Sequence, residues 1–232
     1  MTKFALVGAL LLVAGGCRIA TDPGPVRTAS QPVEGGNAEM VNAEITMTAG
    51  ELEILGGAPR LLDASFRYSE KLGKPEVHYE ATGFRGRLRV EAPGASLTGG
   101  DITNEWKLVF GDKYPLDMRL RMGAGEGTLD FSKLPLRKLQ AELGAGELKI
   151  DLRGAYPRGV EADIRGGVGE ATIRLPSAMG VVADAKGGIG SIETRGLIRR
   201  GDRYYNEAYT ETKPAIRLSV RGGVGQINLI VE

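Results

Sequence analysis

The chain has 232 residues, 42% of them hydrophobic and 25% charged, with 35 Gly but only 5 Phe and 1 Trp. Glycine so abundant with so few aromatics belongs to a turn-rich β protein and argues against a helical one. Lys and Arg number 30 against 29 Asp and Glu, which excludes recruitment to nucleic acid by bulk charge, and a single cysteine excludes an intrachain disulfide.

Residues 1–16 read as a signal peptide. Lys3 supplies the positive charge, Phe4–Val13 an apolar run, and Ala14, Gly15 and Gly16 the small residues of a cleavage site. The run is too short to span a bilayer, which takes roughly 20 residues. Cys17 follows at the cut. The stretch "VAGGC" resembles the lipobox of bacterial lipoproteins, with Ala14 where a Leu is usual. The resemblance implies that Cys17 is lipidated and becomes the first residue of the mature protein. The other reading is an ordinary secretory signal followed by a free thiol. Either way the protein is exported. With the lipid it is anchored to the cell envelope, and Arg18 after the cysteine implies the outer membrane if the cell is Gram-negative. Residues 17–37 are rich in Pro and Gly and poor in apolar side chains, and so read as an unstructured tether.

Residues 38–112 read as an N-terminal β region. "TAGELEIL" at 48–55 is a partial copy of a unit that recurs later. His78 is the only histidine, in the apparent strand "PEVHYEA"; with no second His or Cys near it, it makes no zinc site. No GxSxG-type nucleophile motif accompanies it. Trp106 alternates with Leu108 and Phe110 in "NEWKLVF" and reads as core or domain-junction packing.

The unit recurs across 113–232: "GAGEGTLDF" at 123–131, "GAGELKIDL" at 144–152, "GVGEATIRL" at 167–175, "GIGSIETRG" at 188–196 and "GVGQINLIV" at 223–231. The second glycines are Gly125, Gly146, Gly169, Gly190 and Gly225, spaced 21, 23, 21 and 35 apart. A repeat near 20 residues is the mark of a solenoid. Apolar residues alternate on both sides of each glycine pair, as in Leu116, Met118, Leu120 and Met122 before and Leu148, Ile150 and Leu152 after. Each unit therefore reads as strand, glycine corner, strand, with one face buried. The expectation is that coils stack in chain order, so that "INLIVE" ends the stack with an open edge. A phosphate-binding loop is a poor match, because that loop leads into a helix and these glycines lead into strands. Calcium nonapeptides repeat every nine residues and want Asp where Ala171 stands. No metal or other cofactor is expected.

Together these motifs resemble the toast-rack family of bacterial envelope domains. The "GAGE…L" coils, "IRLPSAMGVVADAKGGIGSI" and "GDRYYNEAY" carry the resemblance in the second half. "AGELEILGGAPRLLDASFRYSEKLGKPEVHYEATGFRGRLRV" and "NEWKLVFGDKYPLDMRL" carry it in the first. It implies an all-β fold: a right-handed β-solenoid with an N-terminal β region packed on it. Toast-rack domains occur in candidate adhesins, in cell-wall-active antibiotic response proteins and beside phage-shock-type membrane proteins. The family has no assigned catalytic residues, so none is carried over.

Two surfaces stand out. Glu126, Glu147 and Glu170 follow their corner glycines and would form a carboxylate ladder; it lapses at Ser191 and Gln226, and reads as a wet strand face. Two outward positions on, Asp151 would lie beside Arg174, a surface pair contributing at most ~1 kcal/mol. The long last interval inserts "LIRRGDRYYNEAYTETKP" at 197–214, with Arg199, Arg200, Arg203, Tyr204, Tyr205 and Tyr209. Tyr and Arg anchor interfaces, and loops on rigid scaffolds often bind. The same residues could instead cover one side of the solenoid as a local hairpin. The functional expectation is a non-enzymatic envelope lipoprotein that binds, scaffolds or accompanies envelope stress. Its partner would be an envelope protein, lipid or glycan, with self-association possible and no nucleic acid. The alternative is a surface adhesin or structural protein, with a polysaccharide-active enzyme behind it.

Overall fold

The computed structural model describes residues 22–93, 102–211, 213 and 215–232. Residues 1–16, read above as a signal peptide, and Cys17 lie outside the described residues. Thirteen strands form one sheet, and the described residues contain no α-helix, only a short 3-10 turn at Glu70–Leu72. No helix among them is long and apolar enough to cross a membrane.

Six long strands are the coils: β2 (Met40–Gly56), β7 (Leu116–Asp130), β8 (Leu136–Asp151), β9 (Val160–Leu175), β10 (Gly180–Arg195) and β13 (Ala215–Val231). Each turns once at its glycine corner, giving a first arm before it and a second arm after it. All pair in parallel, with Gly50, Gly125, Gly146, Gly169, Gly225 and Gly190 in one line. In both arms the apolar alternation puts every second residue inside: Met118 and Leu120 on one side of a corner, Leu129 and Phe131 on the other, are at most 2% exposed. The inner faces share one core. The fold is the expected β-solenoid.

The corner explains its glycines. At Gly125, Gly146, Gly169, Gly225 and Gly190, φ lies between 123° and 140°. A β-carbon there would overlap the glycine carbonyl of the adjoining coil: Gly146 meets Gly125, Gly169 meets Gly146 and Gly225 meets Gly169. Any side chain would force the coils apart, beyond the roughly 4.8 Å at which strands pair.

The stacking order departs from chain order. The coils run β2, β7, β8, β9, β13, β10. The strand containing "INLIVE" does not end the stack but sits inside it, bonded to β9 on one side and β10 on the other. The two coils carry the same pattern, so either fits the slot; β12 lies on one side of β10 and β13 on the other.

The remaining strands close the other end. β2 is a complete coil, paired with β7 from Val41 to Ile54, and "TAGELEIL" is its second half. The stack thus begins well before residue 113. Its first arm is continued by β5 (Arg85–Glu91) and β4 (Glu76–Thr82), its second by β6 (Asn104–Phe110), β3 (Leu62–Ser69) and β1 (Val26–Val33). Trp106 is buried and meets Phe66 edge-on at 5.6 Å. β1 corrects the tether expected over 17–37: Val26–Val33 pairs antiparallel with β3 along its whole length. Backbone pairing organises this polar, proline-flanked stretch, because edge strands tolerate Pro and need little apolar surface.

Candidate binding surface at the β10 end

The long interval forms a hairpin: β11 (Ile198–Arg200) and β12 (Arg203–Tyr205), joined across Gly201 and Asp202. β12 extends the first arm of β10, Tyr205 opposite Val182 and Tyr204 opposite Ala183. The register sets Arg199 across from Tyr204, and the Arg199 guanidinium lies 5.9 Å from the Tyr204 ring centre. Arg200 lies 5.6 Å from that of Tyr205. The Tyr205 and Tyr209 rings are 5.0 Å apart. Arg199, Arg200 and Arg203 are exposed and the three tyrosines half-buried. Cation–π contacts hold the guanidinium planes, and Arg199 Nε also donates to the Gly201 carbonyl at 3.1 Å.

One residue pins the hairpin. Asn206 is 4% exposed. Its Oδ1 accepts from the Val181 amide (2.8 Å), and its Nδ2 donates to the carbonyls of Met179 (2.7 Å) and Pro176 (3.3 Å). Its own amide donates to the Val181 carbonyl. A buried amide with its hydrogen bonds filled fixes a loop more firmly than apolar contact alone.

Arg203 and Tyr209 form a wall over the outer face of the first arms. Between them and the sheet runs a groove of about 450 Å3. Its floor is two rows set by the strand register. One reads Lys138, Glu161, Arg217, Val182; the other reads Gln140, Asp163, Ser219, Asp184. Asp163 pairs with Arg165 at 3.0 Å and Asp184 with Lys186 at 3.6 Å. The result is a wet cleft of alternating acceptors and donors beside one aromatic ring. Four of the six hairpin residues singled out in the sequence, Arg199, Arg200, Tyr204 and Tyr205, form stacked pairs outside the groove; Arg203 and Tyr209 line it. The floor residues and Asn206 carry no signal of their own in the sequence.

The carboxylate ladder exists and is longer than its motif. Glu105, Glu51, Glu126, Glu147 and Glu170 are consecutive neighbours, followed by Gln226 and Ser191. Bases interleave it: Lys149 meets Glu147 at 2.8 Å and Arg67 pairs with Glu105. Hydrogen bonding to Glu147 and its charge, with Glu126 and Glu170 adding to it, hold the Lys149 ammonium above its usual pKa. Glu170 also accepts from Asn228 at 2.6 Å. Among the described residues no three His, Cys, Asp or Glu side chains converge to hold a metal. Asp151 is in register with Arg174 as expected, but its ion pair is with Arg153, at 2.5 Å. His78 is exposed and lies 3.0 Å from Glu76. A second groove, about 750 Å3, crosses the outer second arms between β1 and β7, where Lys107 meets Glu53 at 2.8 Å.

A family model for the N-terminal domain of toast-rack proteins (DUF2154) matches residues 22–174, from just ahead of β1 to the end of β9. The chain belongs to the toast-rack family. Among solved structures, this toast-rack chain is similar to a candidate cell adhesion protein from Clostridium sporogenes. The identity is 33%, the TM-score 0.86, and the match covers 90% of this chain and 100% of that one. A candidate adhesin from Bacteroides fragilis matches at 12% identity and a TM-score of 0.34, over 88% of this chain and 97% of that one. A candidate lipid binding protein from Parabacteroides distasonis matches at 12% and 0.28, over 89% and 97%. A search of the curated proteins finds no match.

Proposed function

We propose that this toast-rack chain is a non-enzymatic, adhesin-type binding module of the cell envelope, exported and tethered by a lipid on Cys17. The observation that carries the reading is the groove walled by Arg203 and Tyr209. A ring beside two rows of hydrogen-bonding side chains suits a polar, extended ligand. A glycan fits best, since its hydroxyls both donate and accept and its apolar ring faces stack on Tyr. The name given to the Clostridium sporogenes relative, a candidate cell adhesion protein, supports adhesion. No catalysis is assigned to the ladder, in which Lys149 holds Glu147, Arg67 holds Glu105 and Asn228 donates to Glu170.

The test is retention of cell-wall glycan by the full-length protein, against the variant Arg203→Ala, Tyr209→Ala. Retention should fall by about tenfold or more while the β-type circular dichroism stays the same. Unchanged retention would exclude the groove as the binding site. Replacing Glu126, Glu147 and Glu170 together by Gln should leave both retention and glycan integrity as they were. Slowed glycan cleavage in that triple variant would instead establish an enzyme.

A further inference from the structure

The two ends of the coil stack are finished differently. At the β2 end, Asn104 Nδ2 donates to the carbonyl of Ala49 at the corner (2.5 Å) and Trp106 Nε1 donates to Asn104 Oδ1 (2.7 Å). The edges beyond carry the usual protections. β1 contains Pro32, and β4 alternates Glu76, His78 and Glu80 along its exposed side. Proline and charge keep stray strands from pairing there.

At the β10 end, β12 covers β10 only at Val182 and Ala183. From Asp184 to Arg195, β10 has β13 on one side and no strand on the other among the described residues. The second arm has no proline, and its only charges are Glu193 and Arg195. Ile189 is 74% exposed. Thr194 is exposed in the column that Ile150, Ile173 and Leu229 fill as buried core. An edge with unpaired backbone groups, no proline and charges of opposite sign is a template for another strand of matching charge.

We propose that this edge pairs with the same edge of a second copy, antiparallel about a two-fold axis at Thr194. Charge selects that occupant and that register. Centred on Thr194, Glu193 faces Arg195 of the second copy, and the symmetry repeats the pair. Thr194 faces Thr194, so inner faces remain inside, and because β10 ends at Arg195 the ladder is Glu193–Arg195 of each copy. Centring on Glu193 would oppose two glutamates. Any shift that mixes parity would turn the inner face outward. The pairing is independent of the groove, which lies on the first arms.

The test uses the full chain in cells, with Thr194→Cys to place a thiol on the axis. Directly opposed β-carbons in an antiparallel pair stand about 5 Å apart, within reach of a disulfide after small adjustment. Mild oxidation should give a covalent homodimer, and Thr28→Cys on the far edge strand should give none. Adding Glu193→Arg or Arg195→Glu alone should cut the dimer about tenfold, and combining the two should restore it. The proposal is overturned if Thr194→Cys gives no homodimer, crosslinks to another protein, does no better than Thr28→Cys, or if the double reversal fails to restore.

Discussion

Gly190 packs on Gly225, so closely that a β-carbon at Gly190 would overlap the Gly225 carbonyl oxygen. The two lie 35 positions apart in the chain, yet they are neighbours in the stack. The same relation joins Gly225 to Gly169 and Gly169 to Gly146, so the corner is a continuous spine of glycine on carbonyl.

Gly169→Ala tests the spine. The residue has φ 134°, and the new methyl would overlap the Gly146 carbonyl. Strain and overpacking together should cost about 3 kcal/mol or more in urea denaturation. Gly201→Ala is the control, because Gly201 also has positive φ (61°) but open space around it; it should cost only about 1 kcal/mol. Equal losses would mean that backbone conformation, and not the neighbouring coil, demands the glycine.

Asn206→Ala should detach the hairpin without melting the stack. It leaves the buried Val181 amide without its side-chain acceptor and the carbonyls of Pro176 and Met179 without their donor. The cost should be about 2–3 kcal/mol. Hydrogen exchange should speed up at Tyr204 and Tyr205 and stay slow across β7, β8 and β9. Uniform acceleration would show that the hairpin and the coils open as one unit.

Alkaline pH should weaken the fold through Tyr156. Burial pushes the phenol well above its ordinary value of 10.0, and its hydroxyl donates to the Phe131 carbonyl at 3.0 Å. Above pH 10.0 the unfolded chain releases this proton while the folded chain keeps it. Stability contributed below that pH is therefore lost as pH rises through and beyond it. Burial raises Tyr79 in the same direction. Tyr156→Phe should cost about 1 kcal/mol at neutral pH and flatten the loss of denaturation midpoint above about pH 10. An alkaline slope identical in the two proteins would remove Tyr156 as its source.

Much of the solenoid was legible because its period-2 apolar pattern and its glycines each state one local requirement. Thr48 shows how far that reading goes. It stands where the later coils have Gly123, Gly144 and Gly167, and so β2 looked like a partial copy. Each of those glycines abuts the preceding coil's carbonyl, Gly123 that of Thr48 itself. Thr48 is exposed, with no strand paired on its far side among the described residues, so it can keep a side chain. The order of the last coils was not legible, because "GIGSI" and "GVGQI" satisfy the same contacts. β1 escaped because pairing with β3 organises it, without an apolar stripe of its own. The Arg and Tyr cluster was visible as a composition. The groove floor was not, since Gln140, Asp163, Ser219 and Asp184 meet only through a register that depends on β13 lying between β9 and β10.

That placement also sets how the molecule comes together. Most coils meet the coil just before them, but Gly169 must wait for Gly225, 56 residues further along the chain. Such a contact raises contact order and pays a loop-closure entropy that its neighbours do not. A protease cut between Asn206 and Ala215 would therefore not trim a terminal coil. It would free the coil between β9 and β10, and β10 with the whole arginine–tyrosine hairpin would lose its bridge to β9.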